Sequence, residues 1–205
     1  MDSVVVGTLV VVAICVSIAY RALTQDLRYK RRVRRKRPTR IADARHGEQV
    51  KLVGRVVGAE QEVEAPLSAQ VCVFVHAWME RVAVTSLING VPVESWVDAG
   101  QTHGGCDFLL EDDSGRALVK LSGDYQPMAL LSPSSYADHV DREAGMRGKE
   151  AVIRFGDRIA VVGTVTRNDQ PDAGPFRGSG GGGEAAILLS GTRAAPIVLA
   201  DAGAE

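Results

Sequence analysis

Aromatic residues make up only 5% of this 205-residue chain, which also holds just three Cys and four His. Three thiols cannot build the disulfide framework of a small secreted scaffold. Scarce aromatics argue against the stacking platforms that bind single-stranded nucleic acid. No serine sits in the glycine-flanked elbow of the hydrolases, Ser68 included, so nucleophilic acyl transfer has no signature here. The Gly180–Gly183 run is followed by no Gly-Lys-Ser or Gly-Lys-Thr and reads as linker, not phosphate loop. Beyond Tyr20 no apolar run reaches membrane-helix length, and no fixed-period repeat occurs.

Net charge is also nearly missing, at −1, but the total hides an asymmetry. Residues 21–40 hold ten basic residues and one acid, whereas residues 41–205 carry 14 basic against 23 acidic groups, a net of −9. Ahead of the basic stretch, Ser3 to Tyr20 contains no charge and is almost wholly apolar. At about 1.5 Å per residue its eighteen positions reach roughly 27 Å, close to the ~30 Å of a hydrocarbon core. A cleaved signal peptide would begin with basic residues; this chain begins Met1-Asp2 and places them after the apolar run. The expectation is a retained single-pass helix within residues 1–22, amino terminus outside.

Residues 23–39 form a basic juxtamembrane segment. Arg28, Lys30, Arg31, Arg32, Arg34, Arg35, Lys36 and Arg37, with Arg21 before them, keep their side of the membrane cytoplasmic by the positive-inside rule. Eight cations in ten positions can also lie against anionic lipid headgroups, at about 1 kcal/mol each before screening. A nucleic-acid role for them is disfavoured by their place beside the lipid. Pro38 ends any helix continuing from the membrane.

Residues 40–200 change to short apolar runs punctuated by glycine. Gln49 to Val57 alternates as a strand with Val50, Leu52 and Val56 inward and Lys51 and Arg55 outward. Ala65–Ser68 is a turn or edge element, since proline cannot donate to a central ladder. Val71 to Arg81 is a strand apolar on both faces, hence central in its sheet. Asn89-Gly90 marks a hairpin, and so does Asp112–Gly115 between Phe108–Glu111 and Ala117–Leu121. Residues 122–148 read as a surface excursion with a short helix near Tyr136–Ala144. Gly156-Asp157 is a turn before a strand in which Gly163 marks a bend or close approach. Residues 167–184 are a flexible loop, Ile187–Ser190 and Ile197–Leu199 close the domain, and 201–205 form a tail. Mainly β structure with little helix implies a small antiparallel β-barrel, OB-like, or a sandwich, behind one transmembrane helix.

Four blocks in order resemble a known family: Glu48–Val56; Ala65–Ser68 with Cys72–Phe74; Phe108–Gly115; and Glu150 with Ile153–Gly163. They are similar to the GIDE-type domain, the middle domain of Mulan-like mitochondrial membrane ubiquitin ligases, also familiar from bacterial membrane proteins. The resemblance covers roughly residues 40–200. Those ligases add a second membrane helix and a RING, which needs eight zinc ligands in paired spacing. Three Cys and four His cannot supply it, so ligase activity is not expected.

Among candidate sites, the pairs Cys72/His76 and His103/Cys106 offer soft ligands, and in a continuous strand Cys72 and His76 would point the same way. The spacing matches no usual zinc pattern; they read as core and surface residues, with no cofactor expected. Glu111, Asp112 and Asp113 read as turn chemistry, and Glu150 as a solvated helix start or a partner of Arg147 or Arg154. The resulting expectation is a non-catalytic interaction or scaffold module in membrane or envelope homeostasis. Its body would be cytoplasmic, at a bacterial inner membrane, with a membrane-protein partner. The alternative is a metal-dependent enzyme using Cys72, His76, Cys106 and the 111–113 carboxylates.

Overall fold

The computed structural model describes residues 29, 31, 33–59, 61–88, 91–123, 127–141, 145–167, 185 and 187–202. Among these, no helix is long and apolar enough to cross a membrane. The Ser3–Tyr20 run, Arg21, Arg28, Lys30, Arg32 and the glycine-rich stretch 168–184 lie outside the described residues. The chain divides into two compact units, with Met1–Arg37 in one and Pro38–Ala204 as the other. In the first, residues 29, 31 and 33–35 are helical, and Arg31, Arg34, Arg35 and Arg37 are exposed.

The second unit is built of strands β1 (Gln49–Ala59), β2 (Val63–Glu64), β3 (Val71–Cys72), β4 (Phe74–Ile88), β5 (Val91–Gly105), β6 (Phe108–Asp112), β7 (Gly115–Val119), β8 (Met128–Leu130), β9 (Ala137–Asp141), β10 (Met146–Ile153), β11 (Arg158–Arg167), β12 (Ile187–Ser190) and β13 (Val198–Asp201). Five of them close a barrel in the order β1-β6-β7-β12-β11, with β11 returning to β1. The expected barrel is present, but it is not wholly antiparallel: β12 runs parallel to β7, and outside the barrel β13 runs parallel to β8. The β11 strand makes closure possible. One of its edges pairs with β1, while the other is shared between β13 and β12.

Alternation decides what faces inward. Val50, Leu52 and Val56 of β1, Phe108 and Leu110 of β6, Ala117 and Val119 of β7, and Ile159, Val161 and Val165 of β11 form one core with Leu189 and Leu199. Lys51, expected on the outer face, is instead only 4% exposed. The segment at Pro38–Thr39 lies along it, with the Thr39 amide donating to the Lys51 carbonyl. At Gly163, a Cβ would meet the Leu189 side chain at 2.9 Å, which explains the close approach anticipated there. Gly156, at φ +87°, makes the turn between β10 and β11.

A second sheet, ordered β5-β4-β10-β9, comes from the two long connections of the barrel, one between β1 and β6 and the other between β7 and β11. β4 is an inner strand, as its two apolar faces implied, and pairs with β5 up to Ile88 and Val91, flanking Asn89-Gly90. The helix expected near Tyr136–Ala144 is replaced by β9 over Ala137–Asp141, after a 3-10 turn at Pro133–Ser135. Asp138 and Val140 share one face of β9, and His139 takes the other, so the segment fits the edge offered by β10.

Candidate functional site

On β4, Phe74, His76, Trp78 and Glu80 share one face. Their partners on β10 are Ile153, Ala151, Lys149 and Arg147, and β9 adds Asp138 and Val140 beside Lys149 and Arg147. This face runs from the barrel core, where Phe74 and Ile153 are buried, outward to Trp78, 46% exposed, and Val140, 63% exposed. Its outer part is a cleft of about 380 Å³ lined by Trp78, Glu80, Asp138, His139, Val140, Arg147, Gly148 and Lys149.

The charges in the cleft are paired. Arg147 Nε lies 2.6 Å from Glu80 Oε2, and Lys149 Nζ 3.5 Å from Asp138 Oδ1. At such exposed positions each pair contributes about 0–1 kcal/mol, so they organise the cleft more than they stabilise the fold. The Arg147 guanidinium also lies over the Trp96 ring at 4.5 Å. Two tryptophans and an oriented arginine on an open sheet are the side-chain chemistry of binding hot spots. Trp96, Glu80, Val140 and Arg147 were not legible as a group, since the Arg147–Glu80 pair alone joins residues 67 positions apart.

The opposite face of the sheet covers a small separate core of Ala65, Cys72, Val75 and Ala77, with Val63, Leu67 and Val152 against it. Here the expectation that Cys72 and His76 point the same way fails. The strand breaks at Val73, the alternation slips, and Cys72 joins Val75 and Ala77 while His76 stays with Trp78. The Cys72 thiol donates to the Val63 carbonyl at 3.3 Å. Burial, reinforced by Glu150 and Cys106, pushes its pKa up to about 11, so it is a neutral thiol at pH 7. Cys106 donates to the Gln61 carbonyl at 2.9 Å. His103 stands opposite His76. Among the described residues no group of three or more His, Cys, Asp or Glu is placed to hold a metal ion.

Glu150 is neither a helix start nor a partner of Arg147 or Arg154, which pair with Glu80 and Asp157. It is buried on β10, where its carboxylate accepts the amides of Leu67 at 2.9 Å and Ser68 at 3.1 Å. It fixes the Ala65–Ser68 turn from across the sheet. Asp112 is likewise structural: its carboxylate accepts the Ser114 and Gly115 amides, the Ser114 hydroxyl and the Ile41 amide. Burial opposes ionisation, but these hydrogen bonds outweigh it and hold the pKa below the usual range. Glu111 pairs with Arg116, and Asp113 with Arg40. The three carboxylates thus have separate partners.

No family model, curated protein or solved structure matches the chain.

Proposed function

We propose that this chain is a membrane-anchored, non-catalytic interaction module of the GIDE type, with an OB-like barrel, and that the Trp78 cleft is its binding surface. The observation that carries the reading is the half-exposed Trp78 beside exposed Val140 and the Arg147–Trp96 stack. A large apolar ring left open to solvent next to an oriented cation favours a protein partner. The residue chemistry supports the non-catalytic side: Cys72, Cys106, Asp112 and Glu150 are held by backbone groups, and the two carboxylates that line the cleft, Glu80 and Asp138, are paired with Arg147 and Lys149.

Residues 3–20 serve in this proposal as the single membrane pass, with residues 28–37 on the anionic cytoplasmic headgroups. Tethering raises the effective concentration of the cleft only for partners in the same membrane, so the proposed partner is another membrane protein at the bacterial inner membrane, working in envelope homeostasis. A photocrosslinking residue at position 78 of the full chain, in native membranes, tests this. Expected are discrete crosslinks to a membrane protein that disappear on deleting residues 1–22. Crosslinks to no membrane protein, or membrane sedimentation in high salt that survives that deletion, would refute it.

A further inference from the structure

Between the barrel core and the Trp78 cleft, the same sheet face carries two imidazoles. His76 on β4 and His103 on β5 are directly opposite in the antiparallel register. Their ring centroids are 6.1 Å apart and their planes inclined by 59°. Tyr136 meets His76 edge-on, with its hydroxyl 2.6 Å from His76 Nδ1. His103 Nε2 is buried without a hydrogen-bond partner, the only side-chain nitrogen or oxygen so placed among the described residues. A buried polar atom left unpaired keeps its full desolvation penalty, so an occupant that it can bind is favoured.

We propose that His76 and His103 form a two-imidazole site for a divalent transition metal of borderline softness, such as Cu2+, Ni2+ or Zn2+, with water completing the coordination. The spacing suits it. A metal–nitrogen bond of about 2.0–2.1 Å, added to about 1.1 Å from nitrogen to ring centre, places each centroid about 3.2 Å from the ion. Two such rings stand about 5.2 Å apart at a tetrahedral angle and about 6.4 Å apart when collinear with the ion. The observed 6.1 Å falls inside that range.

The hydrogen bond to Tyr136 supplies the outer-shell support a ligating imidazole requires. In the tautomer whose Nδ1–H donates to the tyrosine oxygen, the lone pair is on His76 Nε2, free for the metal. Burial and the neighbouring His103 hold the His76 pKa below its ordinary value, so the neutral, metal-binding form prevails at pH 7. Neither thiol joins the site: Cys72 lies on the opposite face, and Cys106 is turned to the Gln61 carbonyl. The site is a nitrogen chelate, distinct from the four-residue zinc set and independent of the partner assigned to the cleft.

The test loads the full chain in detergent micelles with Cu2+, Ni2+, Co2+ or Zn2+ alone, and reads binding by calorimetry and Cu2+ binding by electron paramagnetic resonance. One equivalent should bind, tightest for Cu2+, with hyperfine splitting from two nitrogens. His76→Gln and His103→Gln should each weaken binding at least ten-fold, and Tyr136→Phe about ten-fold, whereas His46→Gln and His139→Gln should not. The copper spectrum of the unaltered chain needs no variant to fold. A spectrum without two nitrogen ligands, or affinity unchanged in either imidazole variant, would overturn the proposal and leave a trapped water as the partner of His103.

Discussion

Removing the Glu150 carboxylate should loosen a turn that lies more than eighty residues away in the chain. The side chain of Glu150 is 1% exposed and its two oxygens each accept one backbone amide, from Leu67 and Ser68. A hydrogen bond to a charged group contributes about 1.5–3 kcal/mol net, so the two together set an upper range of about 3–6 kcal/mol. Part of this is offset, because Leu67 and Ser68 are only half-buried and their amides can find water, and because a buried charge carries its own desolvation cost. Glu150→Ala is therefore expected to cost about 3 kcal/mol, and Glu150→Gln, which keeps one acceptor but turns an amide toward a donor, about 2 kcal/mol. For a chain of this size, 3 kcal/mol corresponds to a fall in Tm of roughly 6–12 °C.

The assay is denaturant unfolding combined with hydrogen exchange at individual amides. Leu67 and Ser68 should exchange faster in both variants, while barrel amides such as Leu52 and Val161 should keep their protection relative to global stability. His139, whose Nε2 is 3.9 Å from the carboxylate, is beyond hydrogen-bonding distance, and His139→Gln should cost under about 1 kcal/mol. Stability within about 0.5 kcal/mol of the parent in Glu150→Ala, or unchanged exchange at Leu67 and Ser68, would refute the assignment of Glu150 as the anchor of this turn.

Two further outcomes follow from the packing. Because the Cys72 pKa is raised from 9.0 to about 11 in the folded state, the unfolded chain loses that proton first. Its contribution to stability is complete below about pH 9 and lost as pH rises through about 11; urea midpoints should show this decline in the parent and less of it in Cys72→Ala, and equal alkylation of Cys72 in folded and unfolded chains at pH 8 would contradict it. Gly163→Ala forces a Cβ to within 2.9 Å of Leu189 and should destabilise by about 1–3 kcal/mol, whereas Gly104→Ala, with nothing within 4 Å of its Cβ, should be tolerated; equal midpoints for the two would refute the close-packing account.

The parts of the fold legible in sequence are those specified by local chemistry. Asp112–Gly115 shows the turn between β6 and β7, because a carboxylate collecting nearby amides is a signal contained within four residues. The strand β1 shows in the alternation of Val50, Leu52 and Val56. The parallel pairing of β7 with β12 does not show, since Ala117 and Ile187 meet only after the barrel has closed around them. Nor does β9: Ala137–Asp141 carries helix-compatible residues, and its strand state follows from the edge that β10 presents.

The candidate site was harder to read because residue type and residue direction are separate facts. Cys72 and His76 have ligand chemistry and a spacing that an unbroken strand would place on one face, but the break at Val73 divides them between two faces with different roles. On β10 the same division falls between adjacent residues. Glu150 points to the satellite core and holds the Leu67–Ser68 turn, whereas Arg147 and Lys149 point to the Trp78 cleft. A charge at Glu150 is thus answered by backbone amides, and charges at Arg147 and Lys149 by the side chains of Glu80 and Asp138 nearer solvent. Substitutions on the first face should register mainly as lost stability and those on the second mainly as lost binding, since only the second leaves its groups within reach of another molecule.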